Sequence, residues 1–325
     1  MVSDNIRKTN AIIDRINVHP EYSVIVEREA RIALRGDAAK HSLQLEIEAK
    51  GIGHKMLEKE RIKALHCLNE AWLHLSKYGV NTSSLSSLGG IIEPSEDNKS
   101  FRHIEVFIGE VPPVSPERVI YDTDSLVSWL QYTGTHPITR GINAHLEIAR
   151  IHPWKDGNGR GARLVQNFVL EQRGYPPAVI QASDFELYKR LLRNTLRDRL
   201  SGESSYEKPS KNESLFDSFV ECKVLASAEH LEEELMRRRH YDIKLKGVDD
   251  RGEVTKIRNI VTSLGRKPGN EGVKARVENG KRSKTYRIEA IGNISLDDLR
   301  GVLDKYCAKQ GYRLDVKPVR GCFNC

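Results

Sequence analysis

Through the first 200 residues, apolar positions recur at intervals of three and four, the period of a helix with one buried face. Ile12, Ile13 and Ile16 open one such stripe, and Leu65, Leu68, Trp72 and Leu75 form another, so both are assigned to core faces. The segment SGESSYEKPSKNES, Ser201 to Ser214, is rich in Ser, Glu and Lys, a composition that cannot bury a core and that suits a linker. Beyond it, 215–240 again reads as a helix, and then the period changes. YDIKLKG, GVKARVENG, KTYRIEAIG and YRLDVKPV alternate as half-buried strands, while EVTKIRNIVTSLG and SLDDLRGVLDKYCAKQG read as helices. The order β-α-β-β-α-β predicts a small ferredoxin-like module, with Ser295 as an N-cap and an Asn-Gly turn within NGKRSK joining the middle strands. The expected organisation is a mainly α-helical domain over 1–200, a linker over 201–214 and a smaller α+β module over 215–325.

Charged residues make up 30% and hydrophobic ones 38%, which excludes wholesale disorder and points to a water-soluble globular chain. No window approaches eighteen consecutive apolar residues, and the start MVSDNIRKTNAIIDR lacks the pattern of a secretory signal. No membrane association and a cytoplasmic location are therefore expected. The five cysteines, Cys67, Cys222, Cys307, Cys322 and Cys325, are odd in number and scattered, so reduced thiols are expected. The last two form a CxxC, which supplies only two of the four ligands of a structural zinc.

The formal charge of +7 is unevenly distributed, because residues 237–320 carry 22 basic against 11 acidic side chains. The basic module reads either as a solvated appendage or as an electrostatic surface for nucleic acid or an acidic partner. No aromatic RNA-binding signature or recognition-helix motif selects among these.

Chemistry concentrates in IHPWKDGNGRGARLVQNFVLEQRGYPP, Ile151 to Pro177. A residue before proline is steered away from the helical region, so the preceding helix is expected to end near Ile151 with His152 at its end. The run DGNGR packs two glycines around Asn158, which permits main-chain N–H groups to converge into an anion-binding nest. Apolar spacing resumes at Leu164, Val165, Phe168 and Val169, so the loop opens a helix whose N-terminus adds positive potential. Asp156 offers a hard carboxylate oxygen suited to Mg²⁺, and Arg160 and Arg163, one turn apart, can clamp phosphates. His152 then stands near a bound nucleotide with a pKa suited to accepting a hydroxyl proton. His136, in THPIT, also precedes proline but has no glycine nest or arginines and is assigned to a turn.

The stretch HPWKDGNGRGAR resembles the signature of the Fic family, H-P-F-x-[DE]-G-N-G-R-x-x-R, with Trp154 in place of the phenylalanine that serves as a hydrophobic anchor. The resemblance extends over Ala38 to Leu200 and implies a Fic-type helical bundle with a small β-hairpin flap. It implies His152 as general base, Asp156 as ligand of Mg²⁺, Gly157, Asn158, Gly159 and Arg160 on the phosphates, and Arg163 toward the terminal phosphate. The retained DGNG favours AMP transfer over the phosphoryl transfer of the family's kinase-like branch. FRHIEVFIGEVPPVSPERV, Phe101 to Val119, resembles the flap that holds a target polypeptide; Ile104, Val106 and Ile108 alternate as a strand able to receive it by β-augmentation.

Ser42 and Glu46 match the serine and glutamate of the family's inhibitory-helix pattern, [ST]-x-x-x-E-[GN], with Ile47 at its last position. The expectation is that Glu46 pairs with Arg163 and restrains activity. The implied activity is transfer of AMP from ATP to a Ser, Thr or Tyr hydroxyl of a target protein, with self-modification as one outlet. Removal of AMP by the same site, and a regulatory or nucleic-acid-binding protein with a self-modifying site, are the competing readings. Target identity and oligomeric state, a homodimer included, stay open.

Overall fold

The computed structural model describes residues 2–19, 22–51, 56–95, 98–106, 113–132, 134–248, 250–264, 273–278 and 285–319. The helices of the N-terminal two thirds are α1 (Asp4–Val18), α2 (Val24–Lys50), α3 (Glu58–Tyr78), α4 (Thr82–Ile92), α5 (Val119–Tyr132), α6 (Pro137–Ile151), α7 (Asn158–Glu171), α8 (Phe185–Leu200) and α9 (Lys211–Arg237). They are followed by β1 (Arg239–Lys246), α10 (Arg251–Leu264), β2 (Lys274–Glu278), β3 (Thr285–Gly292), α11 (Leu296–Gln310) and β4 (Arg313–Pro318). Two compact units result, one from Met1–Asn10 with Ala33–Ala228 and the other from Ala11–Ile32 with Glu229–Cys325.

The first unit is organised around α6, whose residues are buried on nearly every side. Ala144, Ile148 and Ile151 join one apolar cluster with Leu68 and Leu75 of α3, Leu85 and Leu88 of α4 and Val165 and Phe168 of α7. Ile138, Ile142 and Leu146 face a second cluster with Leu45, Leu170 and Phe216. A helix enclosed in this way must satisfy its polar residues internally, because a buried unpaired group costs about 1–3 kcal/mol. Glu147 meets Arg199 at 2.7 Å and Arg150 at 2.8 Å, and Asn143 accepts from Arg199. Arg199 also pairs with Glu213, which is 2% exposed. Helix α9 begins at Lys211, inside the polar segment 201–214, where Ser204 and Glu213 are buried and Ser204 Oγ donates to Glu213. The turn residue His136 caps α6, accepting the Ile138 N–H at Nδ1 with Pro137 in the first helical position.

The second unit contains a four-stranded sheet in the order β2-β3-β1-β4, with every neighbouring pair antiparallel. This is the ferredoxin-like order expected from the alternation. Tyr241, Ile243 and Leu245 of β1, Ile288 and Ala290 of β3 and Val316 of β4 form a core with Val254, Ile257 and Val261 of α10 and Leu299 and Leu303 of α11. Ser295 caps α11 by accepting the Asp298 N–H at 3.0 Å. The NGKRSK turn, Cys322 and Cys325 lie outside the described residues. No helix among the described residues is long and apolar enough to cross a membrane.

Candidate active site

Helix α6 ends where the His-Pro pair requires it, and His152 closes it in the left-handed conformation with φ 53° and ψ 58°. Among the described residues it is the only non-glycine with positive φ. Such a conformation persists only where the surroundings over-determine it. The determinant is Arg102, 2% exposed, whose guanidinium donates to the carbonyls of Ile151, His152, Ile104 and Val114. Its main-chain N–H donates to the Pro153 carbonyl at 2.9 Å.

Trp154 is the anchor of the loop. It is fully buried, and its indole N–H donates to the Leu85 carbonyl at 2.8 Å. The ring lies so close to α4 and α7 that a Cβ on Gly89 or Gly161 would sit 2.4 or 2.3 Å from it. These two glycines are therefore the walls of the indole slot. Asn98, also fully buried, ties the loop to α4: its Oδ1 accepts the N–H groups of Lys155 and Asp156, and its Nδ2 donates to the carbonyls of Gly89, Glu93 and Asp156.

The chain then turns through Gly157, which caps α7 with φ 85°. Asn158 is 3% exposed and directed into the loop, accepting the Trp154 N–H at 3.0 Å and donating to the Trp154 carbonyl at 2.8 Å. Its amide braces the turn, so an anion at this end of α7 would meet the unpaired main-chain N–H groups of the first turn. Arg160 donates to Glu93 at 2.7 Å, and its Nε, buried, has no partner among the described residues. Arg163 donates from Nε to Ser42 Oγ at 2.8 Å, from Nη2 to the Ser42 carbonyl at 3.0 Å and from Nη1 to Tyr188 Oη at 3.0 Å.

The relay behind Arg163 has a defined proton order. Gln166 Oε1 can only accept, so His145 carries its proton on Nδ1, 2.7 Å away. His145 Nε2 then accepts from Tyr188 Oη at 3.0 Å, leaving the tyrosine oxygen to accept from Arg163. Burial drives His145 down to about 3, so it stays neutral throughout.

Helix α2 brings charge to the same place. Glu46 pairs with Lys50 at 3.2 Å, and Lys50 reaches Asp156 at 2.8 and 3.2 Å. No ion pair joins Glu46 to Arg163 among the described residues; Ser42, one turn earlier, holds that arginine instead. Both groups nevertheless line one spot, since a Cβ on Gly159 would lie 3.4 Å from Arg163 Nη1 and 3.6 Å from Glu46 Oε2. A cleft of about 300 Å³ opens beside them, lined by Glu46, Ile47, Lys50, Ile92, Glu93 and Arg160 among others.

Burial works to raise the Asp156 carboxyl, but the Lys50 ammonium and the Gly157 N–H outweigh it and hold the group below the usual carboxylate value. Burial pushes His152 down to about 4, with the Arg102 charge acting in the same direction. Its Nδ1 donates to the Ala149 carbonyl at 3.4 Å, which leaves Nε2 as the basic nitrogen.

The expected flap looks different. Residues 101–106 form no strand and bend at Ile104, which is 51% exposed; Val106 is half-buried, and Ile108 lies outside the described residues. Arg102 donates to the carbonyls of Ile104 and Val114 on either side of residues 107–112, which lie outside the described residues.

Residues 85–170 match the Fic/DOC family model. The loop of His152 and the start of α7 lie inside this match. The chain is 37% identical over 94 residues to Protein adenylyltransferase fic-1 of Caenorhabditis elegans and 36% identical over 95 residues to Protein adenylyltransferase Fic of Aedes aegypti. Each match covers 28% of this chain and spans 18% or 19% of the relative's length. The fold is similar to that of a Fic domain containing signaling protein from Bacteroides thetaiotaomicron, with TM-score 0.59 at 20% identity over 71% of this chain and 98% of that one. It is also similar to Fic-1 from C. elegans, with TM-score 0.52 at 21% identity over 71% of each chain. Arg102, Asn98, Lys50 and Tyr188, which support the Fic site from outside the signature, escaped the sequence reading because no local pattern marks them.

Proposed function

We propose that this chain is a protein adenylyltransferase that moves AMP from ATP to a Ser, Thr or Tyr hydroxyl of a target protein. The observation that carries the reading is the convergence of His152, Asp156 and the arginines of α7 on one loop, in a domain shared with relatives named protein adenylyltransferases. In this reaction the target oxygen attacks the α-phosphorus, the bond to pyrophosphate breaks and the hydroxyl proton passes to His152 Nε2. The low pKa keeps that nitrogen unprotonated and ready at neutral pH. The open end of α7 and Arg160 and Arg163 hold and orient the phosphates, the kind of positioning that dominates such transfers.

Mg²⁺ fits Asp156. The carboxylate already holds a cation, the Lys50 ammonium, and its side chain is 42% exposed. No group of three or more metal-ligating side chains occurs among the described residues, which suits an ion that takes most of its ligands from phosphates and water. When bound, Mg²⁺ supplies charge that offsets the negative phosphates.

Helix α2 restrains this site in the same reading. Glu46 places a carboxylate over Gly159 where a terminal phosphate would approach, and Ser42 holds Arg163 back from it. The carboxylate's position also supports AMP removal as a second activity, with Glu46 orienting the attacking water.

The test is intact-protein mass spectrometry of wild type, Glu46→Gly and His152→Ala after incubation with ATP and Mg²⁺. The expected result is one AMP added to Glu46→Gly, less to wild type and none to His152→Ala. Equal labelling of all three would refute His152 as the base. AMP added to neither wild type nor Glu46→Gly, together with AMP released from a pre-modified sample, would favour removal.

A further inference from the structure

The most unusual buried group near the site is Arg102. A guanidinium at 2% exposure ordinarily faces a carboxylate, yet every partner of this one among the described residues is a backbone carbonyl. Two of them, Ile151 and His152, are the terminal carbonyls of α6, where orphan acceptors and the negative end of the helix dipole gather. Nε meets the His152 carbonyl at 2.7 Å and Nη2 the Ile151 carbonyl at 3.2 Å, while the Arg102 N–H takes the carbonyl of Pro153. One residue thus holds three consecutive carbonyls through the turn that carries the left-handed His152. The remaining N–H groups hold Ile104 and Val114. Only a planar fork with several directed donors can span acceptors so distributed; a lysine ammonium presents its donors from a single point.

We propose that Arg102 is a positioning residue for the transfer reaction, locking the backbone of residues 151–153 so that His152 keeps the left-handed conformation and the placement its base role requires. This rests on the transferase reading. Misplacing a reacting group by about 1 Å is enough to lower a rate roughly 10²-fold. The charged groups acting on His152 are Arg102, which lowers its pKa, and Glu46 and Asp156, which raise it. Removing the guanidinium therefore also moves the imidazole upward.

The experiment compares wild type, Arg102→Ala and Arg102→Lys, each as the full chain, by steady-state transfer kinetics and by NMR titration of the His152 ring, assigned with His152→Ala. Both variants are expected to lose about 10²-fold in kcat with KM for ATP changed less than about threefold. In Arg102→Ala the ring should titrate above its wild-type value of about 4, burial still holding it below 6.5. Unchanged kcat, or a loss confined to KM, overturns the proposal, as does a His152 titration in Arg102→Ala that matches wild type. If Arg102→Ala does not fold, Arg102→Lys decides: wild-type kcat in that variant overturns the proposal, and a lost kcat with ATP still bound supports it. Absence of transfer in wild type would reject the enzymatic reading alone, and the His152 titration would then decide the role of Arg102.

Discussion

Replacing Trp154 with phenylalanine would restore the residue most common in the Fic signature, yet the structure predicts that the change destabilises the domain. The indole is fully buried, donates to Leu85 and sits between Gly89 and Gly161. Loss of the hydrogen bond is worth about 1 kcal/mol. The smaller ring leaves a void of roughly 40 Å³, which at about 24 cal/mol per Å³ adds about another 1 kcal/mol. The total of about 2 kcal/mol corresponds to a fall of about 1 M in the urea midpoint for a slope near 2 kcal/mol per M. Tryptophan fluorescence follows this unit alone, because all three tryptophans, Trp72, Trp129 and Trp154, lie within Ala33–Ala228, and two remain after the substitution. A second substitution sharpens the test. A Cβ on Gly161 would lie 2.3 Å from Cζ3 and 2.8 Å from Cη2 of Trp154, atoms that phenylalanine lacks. Gly161→Ala should cost about 1–3 kcal/mol in wild type through overpacking and much less in Trp154→Phe, a coupling of about 1 kcal/mol or more. A midpoint for Trp154→Phe within about 0.2 M of wild type, or an equal cost of Gly161→Ala in both backgrounds, would refute the reasoning.

Further outcomes follow from the charge arrangement. Lys50→Met frees Asp156 of its resident cation, so Mn²⁺ binding followed by electron paramagnetic resonance should tighten by roughly 3- to 10-fold, as fits an ion pair that is partly exposed; unchanged binding would show that Lys50 does not compete. Glu213→Gln breaks the buried pairing with Arg199 and should cost about 3 kcal/mol, read from the same fluorescence midpoint. The rate of transfer should stay level as pH drops from 7 to about 5 and fall only as His152 takes up its proton near 4. Stability should move sooner. His145 and His152 have folded pKa values depressed to about 3 and about 4, so the unfolded chain binds more protons below about 6.5. Their contribution is then complete above about 6.5 and declines as pH falls from there, by about 1.4 kcal/mol per unit for the fully buried His145. Burial raises Asp217 to about 7, which acts in the opposite sense over the same range, so the histidine part is read from the difference in urea midpoint between wild type and His145→Gln; a difference independent of pH between 6.5 and 5 would contradict it.

The sequence alone was sufficient wherever chemistry is local. The end of α6 at His152, the turn at Gly157 and the start of α7 follow from the proline, the glycines and the renewed apolar spacing, all constraints acting within a few residues. The βαββαβ order was legible for the same reason, since alternation and helical period are properties of each segment alone. The alternation of Ile104 and Val106 was equally local, yet residues 101–106 form no strand and the Ile104 carbonyl is held by Arg102. What only the tertiary structure decided is which distant side chains meet the motif. Lys50 reaches Asp156 across 106 positions, Ser42 reaches Arg163 across 121, and Asn98 and Arg102 clamp the loop from before α5. Spacing specified Asn158 and Glu46 as functional letters, but packing turned the amide of Asn158 into the loop and set Glu46 on Lys50. A one-dimensional pattern records which groups are available at a helix end; which of them face each other depends on how whole helices pack, and that is fixed by burial of the surrounding apolar surface, not by the motif.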